Sequence, residues 1–441
     1  MINLRDHKKL FVLGKRFASF AGISVMLLLV FSCNNLFISG GGSLIISTPG
    51  ARAITGNEIY TIELTGSNGA TQNKTVSGGS TVQFDDLAPD TYNIVVEGID
   101  TNNKVVVGGA SSATVTAGTT ASATVNLVEG VSDFAGLEEA VAAGDTVYVL
   151  KSIDVETTLS ISNTVTIVPA YQDVTLKNTG SGNLFTVSTN GNLTIGGGEH
   201  TITLDGNQVA QSIISVSGGT VTLADNGIIT NAAASGIKIS SSGIFEMTGG
   251  TIMNNNDSSS NGGGGAVFVQ GGTFTMSGGI LKDNTSLTFG GAVRMSSGKC
   301  TITGGGITGN TAGNKGGGVS VGGGTFELLG GSISNNSANQ GSGVQVSSGT
   351  FTMGGSVVVS LNNDVYLYNQ TITVTSSLTG ATPVARITPE TYSAGTAVLT
   401  NGTGDAFGFI SEVEKFKVTP NPADGSEWTI NTSGNLQQVT Q

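Results

Sequence analysis

Between residues 199 and 350 the chain offers few groups for acid–base chemistry: its acids there are Glu199, Asp205, Asp225, Glu246, Asp257, Asp283 and Glu327. A glycoside hydrolase needs two carboxyl groups roughly 5 to 10 Å apart. A polysaccharide lyase needs acids gathered around Ca²⁺, or a base beside Arg or Lys. Glu246 and Glu327 fall at equivalent positions of a repeat, but three coils apart. At ~4.8 Å per stacked strand their separation is roughly 14 Å, beyond either hydrolase geometry. The two histidines are His7 and His200, which removes most His-dependent metal and acid–base sites. These residues predict no catalytic centre, no metal and no cofactor. A second set suits binding, because Ser215, Lys238, Phe268, Arg294, Ser320, Gln345 and Tyr366 share one outward position of successive repeats. Aromatic and long polar side chains on a flat sheet stack on sugar rings and hydrogen-bond to hydroxyls. Lys238, Phe268, Arg294, Gln345 and Tyr366 therefore form a candidate ligand-binding face.

The repeat that positions these residues has a period of about 25 residues. Its unit is apolar-x-apolar-x-x-x-x-Ile/Leu-x-x-Asn, with copies at Val221/Leu223/Ile228/Asn231, Phe245/Met247/Ile252/Asn255, Phe274/Met276/Leu281/Asn284, Cys300/Ile302/Ile307/Asn310 and Phe326/Leu328/Ile333/Asn336. A second apolar pair follows each: Ile237/Ile239, Val267/Val269, Val293/Met295, Val319/Val321 and Val344/Val346. Residues two apart in a strand share a face, so both members of each pair point inward. Three short strands per unit, with loops too short for crossover helices, predict an all-β fold: a right-handed parallel β-helix of about eight coils. The column Asn231, Asn255, Asn284, Asn310 and Asn336 is expected to turn corners in the left-handed conformation and to stack amide on amide. Cys300 stands in the Phe column and reads as a buried apolar residue. A sixth copy starts at Phe351 and Met353 but places Leu361 where the Asn belongs.

Composition agrees with this fold and narrows the partners. The chain has 441 residues, 68 of them Gly, only 11% charged, and a net charge of −12, which leaves no basic footprint for nucleic acid. Arg5, Lys8, Lys9, Lys15 and Arg16 precede an apolar run from Phe17 to Phe31, the layout of an export signal too short for a membrane span. The run ends at Val30-Phe31-Ser32-Cys33, which resembles a bacterial lipobox of the relaxed kind found in spirochaete lipoproteins. The resemblance implies cleavage before Cys33, a lipid on its sulfur, and anchoring at the outer membrane or cell surface. Removal of residues 1–32 takes away a charge of +4 and leaves −16.

The domain plan read from these signals is a signal peptide over 1–32, a tether over 33–42, a β-sandwich over 43–130, a parallel β-helix over 131–370 and a β cap over 371–441. Ser132 and Asp133 offer an N-cap for a short helix, Phe134 to Ala143, that covers the open end of the strand stack. Within the first domain, Val82 to Tyr92 resembles the F-x-x-L-x-P-x-x-Y signature of carboxypeptidase-regulatory or transthyretin-like sandwiches, which implies that Phe84, Leu87 and Tyr92 are core. The solenoid is similar in kind to that of pectate lyases. Segments such as Ile307 to Val319, and Leu281 to Asn284 followed by Gly290-Gly291-Ala292-Val293, resemble the repeats of chlamydial polymorphic outer membrane proteins. That family implies a surface-exposed β-helix associated with adhesion. The expectation is a non-enzymatic lipoprotein that meets a glycan or a host or envelope surface. The alternatives are a polysaccharide lyase or glycoside hydrolase, or a purely structural envelope protein.

Overall fold

A computed structural model describes residues 41–48, 59–77, 81–208, 211–260 and 262–439. The signal peptide, the lipobox with Cys33, and residues 33–40 of the tether lie outside the described residues. The described residues form two compact units, one from 41–103 together with 107–128, the other from 104–106 and 129–439.

In the first unit, Gly42–Ser47 lies between Val82–Leu87, antiparallel to it, and Thr120–Thr124, parallel to it. A five-stranded sheet runs in the order Thr71–Ser77, Ile59–Thr65, Asp90–Ile99, Val105–Val115, Val128–Glu129. Side chains alternate between inward and outward along Gly42–Ser47, Ile59–Thr65 and Asp90–Ile99, whereas Thr71–Ser77 is exposed along most of its length, and the inward set of both sheets joins one core that includes Leu44, Ile62, Phe84, Leu87, Tyr92 and Ile94. Tyr92 Oη donates to the Ala88 carbonyl at 3.1 Å, closing the turn between two strands.

The second unit is a parallel β-solenoid of about nine turns. The first strands of the repeat stack into an eleven-stranded sheet, the second strands into a nine-stranded sheet and the third strands into another eleven-stranded sheet. Helix α1, Phe134–Ala143, precedes the stack; Asp133 accepts from the Gly136 N–H at 2.9 Å as its N-cap, and Leu137 and Val141 bury against the first coils. Parallel pairing does not stop at residue 370, where the decay of the repeat places the end of the solenoid. Ile372–Leu378, Ala385–Pro389, Leu399–Asn401 and Phe416–Val418 each add to a ladder. Asn and Gly thin out there, but the inward alternation of Ile372 and Val374, and of Ala385 and Ile387, persists, and alternation is what a buried ladder requires. Helix α2, Ala406–Val413, and an antiparallel hairpin of Trp428–Ile430 with Leu436–Gln438 complete this end.

In the middle coils the chain forms a fourth ladder that the three-strand reading omits: Asn256–Asp257, Thr285–Ser286 and Thr311–Ala312 pair in parallel, and Thr311 bridges to Ser337. These two-residue strands carry no apolar pair, so periodicity does not mark them.

The Asn column runs through Asn255, Asn284, Asn310, Asn336 and Asn363, all buried. Each backbone N–H and each side-chain Nδ2 donates to Oδ1 of the next Asn up the rod, at 2.9 to 3.2 Å. Asn231 is not part of it. The strand Gly227–Thr230 pairs so that Ile229, not Ile228, stands beside Ile252, which shifts the coil by one residue and puts Ala232 in the column, its N–H donating to Asn255 Oδ1 at 2.9 Å. The left-handed corner also differs from expectation. Asn231, Asn254, Asp283, Gly309 and Asn335, each one place before the column, take φ of +55 to +70°. One residue turns the chain and the next seals its interior.

In the first sheet, Phe245 stacks on Phe274 with centroids 5.1 Å apart, and Phe326 on Phe351 at 5.0 Å. Cys300 occupies the rung between the two pairs and is fully buried. Burial, with the nearby Glu327 charge, pushes its thiol far above the usual range.

Two outcomes are expected. Asn310→Ala leaves the buried backbone N–H of Asn284 without an acceptor and removes one acceptor of its Nδ2, and should cost about 2–4 kcal/mol, whereas Asn231→Ala gives up a favourable left-handed residue and a part-buried hydrogen bond to Asp205 Oδ1, about 1 kcal/mol. Urea unfolding of both variants measures the difference, and equal midpoints would deny the ladder its role. In a Cys33→Ser background, Cys300 should react with a thiol reagent only after denaturation, because its thiolate is suppressed and no solvent reaches it.

Candidate ligand-binding cleft

The outward position of the third sheet forms a single column, as the repeat predicts: Ser215, Lys238, Phe268, Arg294, Ser320, Gln345 and Tyr366 are successive Cα partners. Its two halves have different surroundings. Lys238, Phe268 and Arg294 are partly exposed and line a cleft of about 580 Å³ whose polar wall includes Ser212, Ser235, Ser258, Ser259 and Gln270. Ser320 and Gln345 are buried at 3% and 1% exposure, with Ser320 Oγ donating to Gln345 Oε1 at 3.0 Å. Gln345 therefore does not belong to a ligand-binding face. A Cβ on Gly316 would fall 2.7 Å from that of Ser320, and one on Gly341 2.8 Å from that of Gln345, so the loops carrying these glycines lie close over this part of the sheet. Beyond, the partly buried Tyr366 accepts from Gln340 Nε2 at 3.4 Å and stands outside the cleft. Of the five residues proposed for the face, three meet in the cleft.

The cleft exists because of an insertion. After Asn255 the chain takes the longest detour of the Asn-bearing coils, and residues 257–260 with Gly262 and Gly263 form one wall. Asp257, 2% exposed, ties this wall down: its Oδ1 accepts from Ser259 N at 3.0 Å and Ser259 Oγ at 2.6 Å, and its Oδ2 accepts from the Gly263 N–H. Gly262 has φ of +52°, and a Cβ there would overlap Thr288 Oγ1 and come within 3.1 Å of Arg294 Nη1. No side chain fits at this point without moving the wall.

Arg294 is the centre of the opposite side. Its guanidinium carbon lies 4.7 Å from the Phe289 ring centroid and 5.6 Å from that of Phe268, within cation–π range of both. Burial pulls the guanidinium below its ordinary pKa, and the charge of Asp257 opposes that pull. Lys238, one rung from Phe268, has no hydrogen-bond or ion-pair partner among the described residues. Asp257 and Phe289 escape sequence reasoning because neither sits on a repeat position; the length of the insertion after Asn255 is the one signal that marks the region.

The acids offer no competing centre. Glu246 and Glu327 do share a column, separated by Thr275 and Thr301. Glu327 accepts from Lys299 Nζ and Thr301 Oγ1, both at 2.9 Å; burial works to raise its pKa, and those two hydrogen bonds outweigh it and hold the carboxyl below the usual value. Among the described residues no cluster of three metal-ligating side chains occurs. No family model, curated protein or solved structure matches the chain.

Gly262→Ala is expected to destabilise the wall by about 1–3 kcal/mol, through backbone strain at positive φ and overlap with Thr288. Limited proteolysis between residues 257 and 263 should accelerate; an unchanged cleavage pattern would mean that the wall tolerates a side chain.

Proposed function

We propose that the protein is a non-enzymatic surface lipoprotein acting in adhesion or recognition, and that it binds glycans in the cleft of the third sheet. The observation that carries the reading is the partly exposed Phe268 ring on the cleft floor, flanked by Lys238 and Arg294 and faced by serine hydroxyls. An aromatic face takes the C–H side of a sugar ring while short hydroxyls and amides meet its hydroxyls. The basic and apolar run ending at Cys33 supports lipid anchoring at the outer membrane or cell surface. The likeness of Val30-Phe31-Ser32-Cys33 to spirochaete lipoboxes, and of the repeats to those of chlamydial polymorphic outer membrane proteins, supports exposure to a host or envelope surface.

The non-enzymatic part of the reading rests on the cleft's acids. Asp257 is the one carboxylate that lines it, and both of its oxygens already accept hydrogen bonds. Paired-carboxylate hydrolysis needs a second acid with room for a sugar between the two.

The test is a glycan array and a cell-binding assay on the chain from Cys33, with Phe268→Ala as comparison. Binding of at least one glycan class, weakened about tenfold by Phe268→Ala, is expected, a change of ~1.4 kcal/mol. Blank arrays and no cell binding at high concentration would defeat the reading. Release of reducing ends or unsaturated uronates from acidic polysaccharides would replace it with an enzyme.

A further inference from the structure

Resting on the glycan reading above, we infer that the cleft selects a carboxylate-bearing sugar, with Phe268 as its platform, Lys238 as the partner of the carboxylate, and Arg294 as a positioning residue.

The charge of the cleft is the first argument. Lys238, Arg294 and Asp257 are the charged residues lining it, which leaves one net positive charge in a chain of −12. That excess is not shared evenly. Arg294 faces Asp257 and lies over two rings, so its charge is already matched and its planar group is held in place. Asp257 is buried in the wall, with Ser259 and Gly263 donating to it, and its charge is set against that of Arg294, so the two together add little net charge toward an anion entering from solvent. Lys238 alone brings a cation with no partner among the described residues.

Geometry is the second argument. Lys238 and Phe268 are Cα partners on adjacent strands, so their side chains leave the sheet about 4.8 Å apart. A pyranose stacked on the Phe268 ring carries its carboxylate at roughly the distance that the flexible lysine stem spans. Arg294, one rung to the other side of Phe268, keeps the ring from swinging toward the space it would otherwise fill. Serine and glutamine side chains along the walls then meet hydroxyls, which every sugar offers, so they contribute affinity without choosing the acid.

Uronates and sialic acids both present a carboxylate on a six-membered ring, and the experiment separates them. Calorimetry on the chain from Cys33 would compare a trigalacturonate with its carboxyl-reduced counterpart, and sialyllactose with lactose, at two salt concentrations. At least one acidic probe should bind about five- to tenfold more tightly than its neutral partner, with the advantage shrinking in high salt. Lys238→Gln should erase that advantage, weakening the acidic member of each pair about five- to tenfold more than its neutral partner, and Lys238→Arg should keep most of it. Arg294→Met should weaken acidic and neutral members alike. Equal binding of acidic and neutral members by the unaltered protein would overturn the inference and leave glycan binding intact. Absence of binding to all four probes, with a blank array, would overturn the glycan reading as well.

Discussion

The solenoid depends on an amide that reaches from one coil to the next. At the corner after the second sheet the backbone turns its N–H groups inward, where an unpaired donor costs about 1–3 kcal/mol. Asn284 Oδ1 accepts both the N–H and the Nδ2 of Asn255, Asn310 does the same for Asn284, and the pattern continues to Asn363. Each coil therefore completes the hydrogen bonding of the coil before it. The Nδ2 groups also return to carbonyls of the preceding coil, as Asn310 Nδ2 does to Leu281 O at 2.9 Å. Stacking is then more than hydrophobic contact between similar units: a coil removed from its neighbour leaves buried polar groups exposed to nothing but hydrocarbon.

The same register that serves the core sets the surface. Lys238, Phe268 and Arg294 stand in line because their inward neighbours Ile237, Val267 and Val293 are stacked. What differs along the column is the loop above it. Near Phe268 the insertion stands back and leaves a cleft; near Gln345 the short glycine-bearing loops close down over the sheet. A column of equivalent positions thus carries an open cleft in one half and packed interior in the other.

Much of this fold was legible in the sequence, because inward pairs, helix α1 and the Asn spacing are local signals that the stacked structure does not override. The misreadings have local causes too. Ile228 and Ile229 are adjacent and both apolar, so spacing alone could not say which one faces inward, and the choice moved the column from Ala232 to Asn231. In the last regular coil the step from the inward Met353 to the inward Val359 is one residue longer than in the four copies before it, and Asn363 passed unseen behind the exposed Leu361. The cleft was legible only in its floor. Which outward residues remain open depends on loop height, a tertiary property that Gln345 shows periodicity cannot supply.

The wall at residues 257–263 leaves the stack just after one ladder residue, Asn255, and returns at Gly264 and Gly265, whose neighbours Ala266 and Val267 resume the third sheet. Its base is woven into the rungs, Asp257 pairing with Ser286 and Ser286 Oγ donating to Gly263 O at 3.0 Å, while Ser258 to Ser260 carry no rung. The composition of Ser258 to Ser260 can change across generations without moving a core register, so the rim of the cleft is free to evolve at the speed of a loop while the rod beneath it stays still.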